Sequence, residues 1–84
     1  MKDKPLPLVR ITWTDSASLG GHWADKTDVE DLKTEIIDSV GFVFKETDDS
    51  VTIVAHVGED QVGGTMCIPK IAIVSRRTIS ERGK

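Results

Sequence analysis

The chain has 84 residues, 30% of them charged, and a formal net charge of -3 at neutral pH. A domain this short buries only about 60 to 65% of the surface its unfolded form exposes, so its core alone gives a thin margin of stability. The single Cys67 excludes an internal disulfide, and the isolated His22 and His56 exclude a structural zinc set.

Met1 to Pro7, with Pro5 and Pro7 among charges, reads as an N-terminal arm, residues 8–79 as one domain and residues 80–84 as a basic tail. Leu8 to Trp13 alternates apolar and polar residues and predicts the first strand. Thr14 to Trp23 then reads as a loop of small hydrogen-bonding residues with a glycine pair. Thr27-Asp28-Val29-Glu30 fits a capping box and predicts a short helix with Val29, Leu32 and Ile36 on one side. Ile36-Ile37 fits the start of the next strand equally well.

Ser39 to Val57 predicts the central β-hairpin, with Glu46 to Ser50 as its turn. Period-two alternation puts Val40, Phe42 and Phe44 on the core face of one arm, and Val51, Ile53, Ala55 and Val57 on that of the other. Val43 and Val54 then fall on the outer face, which is the reason to expect a homo-oligomer. Gly58 to Gly64 is a turn-rich connection, Thr65 to Ile68 a short strand stopped by Pro69, and Ile71 to Ile79 the last strand. Together these predict a mainly β fold, a small, strongly bent barrel of five strands with one short helix.

The charge is uneven. Lys70, Arg76, Arg77, Arg82 and Lys84 against Glu81 make the end of the chain +4, leaving -7 for the remainder. A general nucleic-acid binder presents a broad basic face, so RNA is the less favoured partner. The opening MKDKPLPLV lacks the apolar run of a signal peptide, and no stretch reaches the roughly 20 apolar residues of a membrane span. A cytoplasmic location and no membrane partner are expected.

Trp13-Thr14-Asp15-Ser16-Ala17-Ser18, Gly21-His22-Trp23, Ser39-Val40-Gly41-Phe42, Asp48-Asp49-Ser50, Ile68-Pro69-Lys70 and Ala72-Ile73-Val74 give the chain a pattern that resembles a group of short proteins encoded by phages and prophages. The resemblance spans most of the chain and implies a viral setting in a host cell. The five bent strands, with a proline-marked turn between the fourth and fifth, also look like the Sm-like fold, a small barrel that assembles into rings. Sm-like proteins place their helix before all the strands, whereas the first strand here precedes it. An SH3-like barrel fits nearly as well.

No catalytic site is expected. Cys67 reads as a packing cysteine, His56 as a structural imidazole and Asp48-Asp49 as turn residues, and no phosphate loop, dinucleotide fingerprint or zinc-hydrolase motif occurs. Neither cofactor nor metal is called for. The candidate ligand site is the loop from Trp13 to Trp23. Its indoles can hold a planar ring, Ser16 and Ser18 can bond hydroxyls or phosphate oxygens, and Asp15 or His22 can read a polar edge. The competing reading makes both tryptophans plugs at the barrel ends. Arg76 and Arg77 fall on opposite sides of the last strand, one for a salt bridge and one for a phosphate. The expected function is a non-enzymatic, oligomeric phage protein that sequesters a nucleotide-type host immune signal. The alternatives are an Sm-like RNA-binding ring or a structural or adaptor protein of the phage.

Overall fold

A computed structural model describes residues 6–81, with the side chains of 80 and 81 excepted. The alternating runs form the strands β1 (Pro7–Asp15), β2 (Glu35–Glu46), β3 (Ser50–Val54), β4 (His56–Val57), β5 (Val62–Gly63), β6 (Met66–Pro69) and β7 (Ile73–Glu81). One helix, α1 (Lys26–Glu30), follows β1, and a 3-10 turn at Lys70–Ala72 separates β6 from β7. Five strands make one antiparallel sheet in the order β6-β3-β2-β1-β7, while β4 and β5 pair only with each other.

Pro7 and residues 80 and 81 therefore belong to the sheet, residue 81 opposite Pro7 and residue 80 opposite Leu8, rather than to an arm and a tail. Leu6 is in no strand, and residues 1–5 and 82–84 lie outside the described residues.

The strand order forces curvature. β6 and β7 occupy opposite edges, which in a flat sheet of five strands stand about 19 Å apart. The three residues of the 3-10 turn advance the chain by only about 6 Å. The sheet must therefore curl to bring its edges together at that end. It does so without closing, since no β6–β7 ladder joins the edges among the described residues, and the expected barrel is in this respect an open, curled sheet.

Val9 and Ile11 of β1, Val51 and Ile53 of β3 and Ile68 of β6 form the core inside the curl, with Trp13, Val43 and Ile73 packed against it. This corrects the expected parity of the hairpin. Val40 and Phe44 are each 54% exposed, whereas Val43 packs on the core and Val54 is fully buried. In register, β2 turns Gly41 and Val43 inward opposite Val9 and Ile53. Gly41 suits that place because a Cβ there would lie 3.0 Å from the Val54 carbonyl oxygen and 3.1 Å from Ile53 Cβ. An irregularity between Val43 and Lys45 then takes Phe44 out of the alternation. On the second arm Val51 and Ile53 are buried as expected, but Ala55 and Val57 are exposed because β3 ends at Val54.

The turn at Thr47 to Asp49 is held by its threonine: Thr47 Oγ1 accepts the amides of Asp49 (3.2 Å) and Ser50 (3.1 Å). The capping box is not made. Asp25 takes the N-cap position with no side-chain bond, which places Thr27 inside the helix. No residue of α1 is buried, and Ile36 lies in β2, not on the helix. Cys67 is exposed, opposite Thr52 across an edge pairing, so it is not a packing cysteine. His56 is likewise exposed, in β4 opposite Gly63.

The molecule is long: 54 × 25 × 21 Å, with a radius of gyration of 16.5 Å against about 12 Å for a compact domain of this length. Its twelve-residue β2 alone runs about 40 Å. With β1 it forms an arm whose tip, residues 16–34, carries α1. Every residue of that tip is exposed except the half-buried Ala17.

Candidate functional site

The residues expected to form one ligand site occupy three places. Trp13 points inward from β1, half-buried against the core, and its Nε1–H donates to Ser39 Oγ across the β1–β2 pair at 3.0 Å. Asp15 ends β1, and its Oδ1 accepts the Ser16 amide at 2.8 Å. Ser16, Ser18, His22 and Trp23 are exposed in the tip, with Trp23 94% exposed. Trp23 lines an open hollow of about 670 Å³ with Leu19, Gly20, Ala24, Asp25 and Asp28. The two indoles do not share a cavity. Asp25 and Asp28 also make this hollow repel a phosphate.

The two arginines do take opposite faces of β7. Arg76 pairs in register with Ile11 and reaches Glu46 with two bonds, Nη1 to Oε2 at 3.0 Å and Nη2 to Oε1 at 3.2 Å. Lys70 Nζ adds a contact to Glu46 Oε2 at 2.9 Å. The Arg76 bonds first, and the Lys70 contact second, hold the Glu46 carboxyl down to about 2. This charge cluster joins the end of β2 to the 3-10 turn and β7, where the curled edges approach. Arg76 is a fastener there, with its fork already occupied.

Arg77 stands on the outer face, directly across from Arg10 of β1. With Thr12 and Ser75, which also face one another, they line a hollow of about 220 Å³. Like charges directly opposite on neighbouring strands are destabilising unless something neutralises them. One carboxylate is at hand: Asp38 of β2 accepts from Thr12 Oγ1 at 2.6 Å and from Arg10 Nη2 at 3.0 Å. The Thr12 bond first, and Arg10 second, hold Asp38 below the ordinary carboxylate range. Among the described residues no carboxylate pairs with Arg77. The result is a shallow cradle of two guanidinium groups and two hydroxyls, one guanidinium free, whose chemistry suits an oxyanion.

Sequence reading found Arg77 and missed Arg10, Thr12 and Ser75. Their signal was half present, since the alternation in Leu8 to Trp13 puts Arg10 and Thr12 on the face away from the core. Pairing β1 with β7, more than sixty residues later, is a non-local event that no local pattern announces.

Elsewhere the described residues hold no group of three or more His, Cys, Asp or Glu suited to a metal ion. No helix among them is long and apolar enough to cross a membrane. The hydroxyls of Thr52 and Ser50 hold the Cys67 thiol below its ordinary value, but no base stands beside it to make a catalytic pair. Comparison with family models, curated proteins and solved structures gives no match.

Proposed function

We propose that this is a non-enzymatic, phage-encoded binding protein that acts as a homo-oligomer in the host cytoplasm and sequesters a small nucleotide-type signal of host immunity. The observation that carries the binding part is the Arg10–Arg77 pair, held in register on one sheet face with two hydroxyls and a single carboxylate. A phosphate group seated there relieves the like-charge pair and satisfies the free Arg77 fork. Its one carboxylate, Asp38, accepts from Thr12 and Arg10 and is held below the ordinary carboxylate range, which makes it a weak base for activating a hydroxyl and favours holding a phosphate over cleaving it. The exposed indole of Trp23 is a surface on which a base can stack, and the acidic remainder of the chain favours a small anion over a polymer.

The viral setting rests on the sequence pattern from Trp13 to Val74. The barrel reading is supported by strand order: β1, β2, β3 and β6 follow in succession and a 3-10 turn carries β7 to the far edge, an order that a small barrel of the Sm-like or SH3-like kind would have if drawn open. Isothermal calorimetry against cyclic nucleotides and ADP-ribose derivatives tests the reading. Binding by one of them, weakened at least about tenfold in Arg77→Ala, is expected for a lost charge-assisted bond. No binding by any of them contradicts it.

The same strand order favours a second reading, an RNA-binding ring of the Sm-like kind. It requires that affinity for short single-stranded RNA fall steeply with salt. A flat response removes it.

A further inference from the structure

The chain carries two unlike surfaces that match each other and do not meet within one copy. The first is the tip. Leu19, Trp23, Val29 and Leu32 are all exposed there, and from Asp15 to Glu35 six acidic residues stand against two lysines, a net charge of -4. The second is the outer face of the sheet. β2 lays Ile36 and Val40 along it, both more than half exposed, beside the row of Arg10, Thr12, Ser75 and Arg77. Lys45 lies on the same face, opposite Thr52, so the face holds three cations against Asp38. One surface is apolar and acidic, and the other is apolar and basic.

The tip closes the β1–β2 pair, and the basic face is made by β1, β2 and the neighbouring β7. The tip is fastened to the ends of two of these strands, at Asp15 and Glu35, which are paired in register. The tip does not cover its own chain's basic row: none of its residues lines the hollow of Arg10, Thr12, Ser75 and Arg77, and Trp23 is almost fully exposed. A second copy lying antiparallel, outer face to outer face, brings each tip over the other copy's row, which is the self-complementary arrangement of a two-fold interface.

Size agrees with this. The chain exposes 6564 Å², whereas a compact monomer of 9.2 kDa exposes about 4,900 Å². A stable interface needs about 800 Å² from each partner.

From these surfaces we infer that the acidic, Trp23-bearing tip of one copy docks on the Ile36–Val40 strip of a second and overhangs its Arg10–Arg77 cradle. The two-fold pair is then the unit in which the cradle gains an aromatic wall. The inference rests on the proposed anion-binding reading only for the cradle's role. The docking itself stands on surface chemistry. Trp23 is the anchor, a large rigid side chain with no role in its own copy's packing, and Asp25 and Asp28 beside it supply the charge that the basic row attracts.

Sedimentation velocity on the full chain, without nucleotide, tests it. Wild type is expected to sediment as a dimer or a multiple of one, and to dissociate more readily as salt is raised. Trp23→Ala is expected to weaken self-association by at least about 30-fold, the scale of a tryptophan hot spot. Val40→Asp, which places a carboxylate on the strip, is expected to do the same, with an unchanged circular dichroism spectrum showing that each variant is folded. Because Trp13 is fixed in the core, a blue shift of emission with rising concentration that vanishes in Trp23→Ala reports burial of Trp23 itself. A wild-type chain that stays monomeric overturns the inference, as does an assembly untouched by both substitutions. Assembly through Trp23 without nucleotide binding in calorimetry leaves the docking intact and removes only the anion-binding reading.

Discussion

At the curled end of the sheet, Val9, Ile11, Val51 and Ile68 lose all contact with water, whereas at the tip Trp23 and Val29 keep half or more of their surface wet. Both regions hold large apolar side chains and differ in what surrounds them. In the curl, side chains from all five strands of the sheet meet in one cluster. At the tip, beyond Asp15 and Glu35, there is one short helix with no buried residue and no strand to pack on it. A side chain that would be core in a larger fold has nothing from its own chain to pack against. Such exposed apolar residues are the observation on which the proposed docking of a second copy rests.

Several substitutions can break that contrast, and the core end should respond most. Ile11→Ala removes a fully buried side chain at the centre of the cluster. It is expected to lower unfolding free energy by about 2 to 5 kcal/mol, read from urea denaturation. Next comes Gly41→Val, which forces a Cβ to within 3.1 Å of both Ile53 and the Val54 carbonyl where β2 and β3 cross. Overpacking of this kind should cost about 1 to 3 kcal/mol and show as a lower thermal midpoint.

The Glu46 fastener has a smaller, pH-dependent effect. Its carboxyl drops from 4.5 to about 2 on folding, so its stabilising contribution is present above pH 4.5 and is lost as pH falls toward 2. The group is 36% exposed, and screening keeps the contribution to about 1 kcal/mol or less. Glu46→Gln should flatten this part of the acid-side stability curve, as measured by urea denaturation through that pH window. Smallest of all is Trp23→Ala in dilute solution, where the chain is dissociated. There it should shift unfolding free energy by no more than about 0.5 kcal/mol, because the residue supports nothing in its own copy.

Most strands were legible in the sequence because alternation is a local signal: Leu8 to Trp13 lies within β1, Thr65 to Ile68 overlaps β6 and Ile71 to Ile79 overlaps β7. The sheet's facing was legible only in part. Alternation puts Val40, Phe42 and Phe44 on the core face, yet the inner positions fall to Gly41 and Val43. Alternation fixes which residues share a face but not which face is inner, and at Gly41 the neighbouring backbone comes too near for a side chain. The capping-box reading of Thr27 failed because the helix begins two residues earlier, with Asp25 at the N-cap, and no residue of α1 is buried to enforce a particular end. Of the candidate site, the loop's composition was visible and its isolation from Arg77 was not. Arg10 meets Arg77 through a pairing between the two ends of the chain.

Concentration-dependent hydrogen exchange, followed peptide by peptide, tests most directly the claim that the arm tip is built for a second copy. Raising the concentration of the full chain should slow exchange across the tip, residues 16–34, while peptides from β3 and the buried part of β6 exchange as before. Tip amides that exchange at the same rate at every concentration would contradict the account.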